Sequence, residues 1–372
     1  VVDGAHTGYR NPAPGIGADR TCWASAPFTP EPTRRGGDRP LDGIRVIDLG
    51  IIVAGGELSR LFADLGAEVI KVESETYPDG LRQKRDNQTI SESFARAHRN
   101  GLGLGLELRN AQGAELLARL IAESDAMFAN FKPGTLAALG FSHERLRELN
   151  PGLVVAESSA FGDTGPWSRQ MGYGPLVRGT IGVTRLWTSD GPLPDNARHP
   201  FHDATTIFPD HVVARVSAIG ALAGLIRRLR TGAGTRIHVP QAEVAINQLD
   251  VLYVARASRG KLVESPAVHA VLPCAGDDEW CVVSIENPAQ RQAVEEATGG
   301  QTLASWTRQR TPAEVAEQLQ VAGVPAGPMN RAADVHGDPQ LQLRNAFSEM
   351  TPPALDTPTP PEPGPAPYRH GR

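Results

Sequence analysis

Much of what would mark a stapled, metal-bound, membrane or nucleic-acid protein is missing from this sequence. Cysteine occurs three times in 372 residues, as Cys22, Cys274 and Cys281. An odd number at such wide spacing excludes a disulfide framework, contains no CxxC zinc pair, and fits a reducing cytosol. A basic excess is also missing. The formal net charge is −5 and the pI about 6.1, so no global field holds nucleic acid or an anionic membrane. The longest apolar stretch, residues 216–226, is about half of the ~20 residues a membrane span needs, and arginines flank it. A polar start rich in Gly and Pro shows no signal peptide, so a cytoplasmic protein is expected. There is no P-loop, no G-x-S-x-G elbow and no H-E-x-x-H. His98, His199, His202 and His211 lack metal-ligand spacing, so no metal site is expected.

What is present is an ordinary globular composition, 40% hydrophobic and 21% charged, in a chain long enough for one large core and a second smaller one. Residues 1–40 lack a hydrophobic period and read as a linker or tail. Gly15-Ile16-Gly17 there is no dinucleotide loop, because no strand precedes it and prolines surround it. Regular structure begins at Ile44. Strand-length apolar runs at 44–49, 67–72, 104–108, 126–131 and 153–158 alternate with helical patterns, among them 57–65 after a turn at Gly55-Gly56, and 111–124. This alternation predicts an α/β fold with a parallel sheet covered by helices on both faces. Ligands in such sheets bind outside the carboxyl ends of the strands, here Asp48-Leu49-Gly50, Glu73-Ser74, Asn130-Phe131 and residues 158–162. A long helix over 211–230 stops at Thr231-Gly232-Ala233-Gly234, followed by a strand at 237–239 and a helix over 243–257. A hairpin around Gly276-Asp277-Asp278 and three short helices form a smaller α+β domain over 245–320. Residues 351–372 are a Pro-rich tail.

One segment stands out chemically: Phe208-Pro209-Asp210-His211. Proline biases Phe208 to an extended conformation, so Asp210 falls where a helix N-cap belongs. The plain reading is a capping Asp. The other is a partly desolvated nucleophile at a loop–helix junction, near free backbone N–H groups.

From about Pro40 to Leu343 the chain resembles the family III CoA-transferases. The matching segments are Leu41-Asp42-Gly43-Ile44-Arg45-Val46-Ile47-Asp48-Leu49, Leu65-Gly66-Ala67-Glu68-Val69-Ile70-Lys71-Val72-Glu73, Asn130-Phe131-Lys132-Pro133-Gly134, Phe161-Gly162-Asp163-Thr164-Gly165-Pro166, Thr231-Gly232-Ala233-Gly234 and Ala322-Gly323-Val324-Pro325-Ala326-Gly327-Pro328. The resemblance implies a Rossmann-like large domain built from both chain ends (41–244 and 321–350), an inserted small domain over 245–320, and an interlocked dimer. It implies Asp210 as nucleophile, at the family's offset from Thr231-Gly232. Asp203 lies two helical turns out of place. The expected substrates are acyl-CoA and a carboxylic acid, with coenzyme A as substrate and no permanently bound cofactor. The implied CoA strip is Val53, Ala54, His98, Arg99, Asn100, Asn130, Phe131, Lys132, Phe161 and Gly162, with Gly260 a candidate for the oxyanion loop.

The chain also departs from the family pattern. Ser74, Gly101-Leu102 and Ala138 stand where family cations are common, so Lys132, Arg99, Arg82 and Lys84 are the candidates to compensate. Gly172-Tyr173-Gly174 replaces the racemase branch's Gly-His-Asp. This disfavours racemisation, since a tyrosine with a pKa near ~10 is a poor shuttle. Gly174 and Val53 make the acyl pocket more apolar than that of an oxalate or formate enzyme. The start at Val1, the linker-like residues 1–40 and the thinned cation set resemble the second half of double-length members. An auxiliary half working beside a second CoA-transferase-like half is therefore the alternative to an active homodimer.

Overall fold

The computed structural model describes residues 11–12, 15, 39–83, 89–187, 207–258 and 267–347. The chain forms two compact units, one running to Asp250 and the other spanning Val251–Ala346.

The first unit is built on six parallel strands: β1 (Arg45–Asp48), β2 (Glu68–Glu73), β3 (Leu102–Gly105), β4 (Ala126–Ala129), β5 (Val154–Ser159) and β6 (Thr235–Pro240). Their order is β3-β2-β1-β4-β5-β6, the doubly wound arrangement in which strand order reverses between β1 and β4. The central strands β1, β4 and β5 carry buried apolar runs because helices cover both faces. One face packs Val46, Phe128, Val154 and Ala156 against Leu58, Phe62, Ala214 and Ala221. The other packs Ile47, Met127 and Val155 against Leu117, Ile121 and Leu146. Strand β3 begins and ends earlier than the apolar pattern predicts, because Leu102–Gly105 pairs in register with Ile70–Glu73. The helix after β1 also begins earlier, at Ile52, and runs to Asp64. The Gly55-Gly56 pair is thus inside that helix and not a turn. A Cβ on Gly55 would lie 2.5 Å from the Gly50 Cα, so glycine here permits close approach of helix to loop.

The second unit holds β7 (Val268–Pro273), β8 (Trp280–Ile285) and β9 (Ala326–Pro328), antiparallel in that order, over a core of Cys281, Val283, Trp306, Val315 and Leu319. Its helices Pro288–Thr298, Leu303–Thr307 and Pro312–Val321 lie where the sequence pattern puts them. The boundary does not. Residues 321–346, expected in the large domain, belong to this unit because β9 pairs with β8. Burial and the neighbouring Cys274 push the Cys281 thiol up to about 11. Among the described residues no helix is long and apolar enough to cross a membrane.

Most of residues 1–40, Lys84, Asp203, Gly260 and the Pro-rich tail lie outside the described residues. Asn11 is described. Its backbone carbonyl accepts from the Asn100 N–H (2.8 Å), and its own N–H donates to Asn100 Oδ1 (2.7 Å), so this point of the expected linker is attached to the fold.

Candidate active site

The helix Phe208–Thr231 starts one turn before the position its sequence suggests. Ile207 is the N-cap, Pro209 occupies the first turn, and no side chain caps the end. Pro at this point costs nothing, because the first N–H groups of a helix are unpaired anyway. Asp210 is consequently the third helical residue and not a cap. Its side chain turns inward, only 6% exposed. The helix stops at Gly232, whose φ of 72° closes it, as the Thr-Gly signal predicts.

The Asp210 carboxylate is held from one side. Its Oδ1 accepts a hydrogen bond from Gln241 Nε2 at 3.0 Å, while its buried Oδ2 has no hydrogen-bond partner among the described residues. Gln241 opens the short helix after β6, and that helix is tied to the end of β5 by Ala242 N–H to Ala160 O (2.9 Å). Burial raises the Asp210 pKa above the usual carboxylate range. The Gln241 hydrogen bond, the charge of His211 and the backbone amides of Asp210 and Gly174 offset this only in part, and neither amide reaches Oδ2 in hydrogen-bonding geometry. Gly174 lies against the same oxygen. A Cβ there would sit 2.2 Å from Oδ2, so the carboxylate's position requires glycine at 174.

One helical residue on, His211 Nδ1 lies 3.2 Å from Glu57 Oε2, and Arg215 and Arg60 reach Glu57 Oε1 at 3.0 and 2.9 Å. Burial alone would raise Glu57, but the His211 hydrogen bond and both arginine charges outweigh it and hold its pKa at about 2. Ala54, Val213 and Val244 pack together beside this cluster. These contacts clamp the Asp210 helix to the helix that follows β1.

A second buried cluster sits where β1 and β2 end. Lys71 Nζ lies 2.9 Å from Asp79 Oδ2, donates to the Gly50 carbonyl, and stands 3.9 Å from Asp48 Oδ2. His98 bridges the same two acids, at 3.6 Å from Asp48 and 3.4 Å from Asp79. Burial would raise Asp79, yet the close approach of His98 and the Lys71 charge hold it well below the usual range. The cluster fixes the loop above it: Gly50 N–H donates to Asp48 Oδ1 (2.7 Å) and Ile52 N–H to Asp79 Oδ1 (3.0 Å). Asn130 completes the hold from β4, accepting from the Ile51 N–H (2.7 Å) and donating to the Ile51 carbonyl (2.8 Å). Ile52 is kept at a φ of 54°, a conformation that β-branched residues avoid. This loop crosses the point between β1 and β4 where strand order reverses, the usual ligand crevice of such sheets.

The residues of the expected CoA strip divide sharply. Val53, Ala54 and Asn130 come together around this loop, with Phe131 half-buried and Lys132 exposed at the end of β4. Phe161 and Gly162 follow β5. Phe161 meets Trp167 edge-on at 5.6 Å, and Gly162 adopts a φ of 94°. His98, Arg99 and Asn100, in contrast, turn into the protein. Arg99 is 1% exposed and forks onto Asp64 (3.0 and 2.6 Å), which also accepts from Asn100 Nδ2 (2.7 Å). Arg82 pairs with Glu73 and stacks 3.7 Å over the Phe94 ring. Two of the cations expected to compensate for the thinned phosphate side are therefore committed internally. Gln241, Glu57, Asp79 and Lys71 were missed in the sequence. A lysine inside a buried strand was a usable signal for Lys71, and a polar residue directly after a strand was one for Gln241.

Together, the sheet and the Asp210 site define a doubly wound α/β protein that presents a desolvated, half-satisfied carboxylate at its carboxyl edge. The chain belongs to CoA-transferase family III, whose profile matches residues 41–300 and 264–366. It is 55% identical to the probable CoA-transferase Rv1866 of Mycobacterium tuberculosis, across all of this chain and 50% of that protein, so it spans half of that relative's length. It is 30% identical to the succinyl-CoA–D-citramalate CoA-transferase of Chloroflexus aurantiacus, over 85% of each chain. Among solved structures, a CaiB/BaiF family protein from Brucella suis superposes with a TM-score of 0.72 and 26% identity, covering 88% of this chain and 96% of that one.

Proposed function

We propose that the chain transfers CoA from an acyl-CoA donor to a carboxylic acid, with Asp210 as the covalent nucleophile. The observation that carries this reading is the buried Asp210 Oδ2, which has no partner among the described residues while Gln241 holds its sister oxygen. Oδ2 attacks the thioester carbonyl and expels CoA thiolate, leaving a mixed anhydride. The thiolate attacks the Asp210 Cγ and expels the donor acid, which carries Oδ2 away, leaving an aspartyl-CoA thioester. The acceptor carboxylate then attacks Cγ and expels the thiolate, which attacks the acceptor's acyl carbon and frees Asp210. Each step exchanges one acyl bond for another, so no nucleotide is consumed.

CoA lies over the Gly50–Ile52 loop and the Asn130-Phe131 turn, with Lys132 toward the phosphates and backbone, not side chains, presented by residues 98–100. Free buried thiols at Cys274 and Cys281 suit a reducing cytoplasm. The working form is a homodimer or a pairing with a second CoA-transferase-like half. The latter is favoured by the half-length match to the mycobacterial relative and by the internal pairing of Arg82 and Arg99. The test is incubation with a panel of acyl-CoA thioesters, from succinyl-CoA to longer apolar acyl groups, then borohydride or hydroxylamine and peptide mapping. Capture at Asp210, lost in Asp210→Asn, supports the reading. No capture across the panel, together with no CoA binding by calorimetry, leaves the auxiliary half in its place.

A further inference from the structure

The contact that holds Asp210 has a chemical consequence beyond positioning, and it rests on Asp210 being the nucleophile. The atom meeting Asp210 Oδ1 must be the Gln241 Nε2, because an ionised carboxylate only accepts hydrogen bonds. The other end of this amide, Oε1, is buried and has no hydrogen-bond partner among the described residues. An orphaned buried acceptor destabilises a fold, and a methionine of the same length would bury there without it. Gln241 is therefore poorly explained as a packing residue. Its useful bond is the one to Oδ1.

The two oxygens of Asp210 have different fates in the transfer. Oδ2 makes and leaves the anhydride. Oδ1 stays on Cγ throughout, as the carbonyl oxygen of both the anhydride and the thioester. When CoA thiolate attacks Cγ, the carbonyl electrons move onto Oδ1, and they return as the donor carboxylate departs. The same charge appears on Oδ1 when the acceptor carboxylate attacks the thioester and CoA thiolate leaves. In the first step, attack by Oδ2 on the substrate carbonyl, charge instead drains from Asp210. A donor fixed on Oδ1 thus stabilises the transition states at Cγ and contributes nothing to the attack on the donor.

We infer that Gln241 is a catalytic residue, the oxyanion donor for the two attacks on the Asp210 carbonyl carbon. Its position fits: 6% exposed, 3.0 Å from the atom on which charge develops, and at the start of the helix that directly follows strand β6. Both side chains are buried, so one amide donor has a large effect.

The experiment follows a partial reaction. The protein is mixed with an acyl-CoA and no acceptor, and the aspartyl-CoA thioester at Asp210 is reduced with borohydride and counted by peptide mass spectrometry over time. Gln241→Met is expected to slow thioester formation by about 10²–10³-fold, as loss of one oxyanion donor does, with acyl-CoA affinity within about threefold of wild type. Gln241→Asn, which withdraws the same amide by one methylene, slows it at least tenfold and serves if the Met variant does not fold. Thioester formation within threefold of wild type in a folded variant overturns the inference while leaving Asp210 as nucleophile. Absence of the thioester in wild type overturns both. Equal losses of affinity and rate assign Gln241 to binding and overturn its catalytic role.

Discussion

Two buried acidic sites lie at the same end of the same sheet, and they are treated in opposite ways. Asp48 and Asp79, 0% and 2% exposed, share Lys71 and His98 and anchor three backbone N–H groups, and the Asp79 carboxyl is held well below its usual range. Asp210, 6% exposed, has one amide on one oxygen, and burial pushes its pKa up. The first site is charge-compensated, since one buried lysine lies 2.9 Å from Asp79 and 3.9 Å from Asp48, although Asp48 Oδ2, like Asp210 Oδ2, has no hydrogen-bond partner among the described residues. The second is open: a charge has been desolvated and left half-satisfied. Such incompleteness costs stability and is found where a group must react. Proximity to the ligand crevice alone does not separate the two sites; the buried lysine shared by Asp48 and Asp79 does.

The largest effect is expected at the lysine-compensated site. Lys71→Met leaves Asp48 and Asp79 buried with His98 alone, and the expected loss is about 3–5 kcal/mol in urea unfolding of the first unit. The Gly50–Ile52 loop loses its hold in the same variant, so acyl-CoA affinity falls with stability. Next comes Glu57→Gln. The Glu57 pKa is lowered from 4.5 to about 2. Such a group stabilises the fold above its unfolded pKa, and the contribution disappears as pH falls through the folded value. The shift corresponds to about 3 kcal/mol at pH 7. Glu57→Gln should therefore melt lower than wild type at neutral pH, with the gap closing between about pH 4.5 and pH 2. On the open side, Gly174→Ala places a methyl group against Oδ2. Thioester formation should fall by about 10²-fold, the cost of misplacing a nucleophile by an ångström, while the melting temperature changes little. A Gly174→Ala protein that reacts normally would show that the carboxylate need not sit where it does.

Much of the large sheet was legible because parallel strands buried on both faces read as bare apolar runs, and the Thr231-Gly232 stop fixes the register of the Asp210 helix. Gly55-Gly56 misled, because glycine marks close approach as well as turns, and only tertiary contacts tell the two apart. The boundary of the small unit misled for a related reason: β9 is three residues long, Ala326–Pro328, and short edge strands carry almost no periodicity. Asp210 could be found by its offset from the helix stop. Its inward aim could not, since Pro209 fits either a cap or a first turn. Arg99 and Arg82 looked available to a phosphate because a sequence shows a cation without its partner. Asp64 lies 35 residues from Arg99, and Gln241 lies 31 residues from Asp210; neither pairing leaves a local trace.

Everything proposed for this chain depends on the desolvated carboxylate of Asp210 being the reacting group. The most direct test of this is the rate of covalent capture at Asp210 as a function of pH, read by peptide mass spectrometry. Only the ionised carboxylate attacks, so a raised pKa predicts that the rate climbs with pH around a midpoint above the ordinary aspartate value of roughly 3.9. Capture should vanish in Asp210→Asn. A midpoint at or below the ordinary value, or capture at another residue that survives Asp210→Asn, would contradict it.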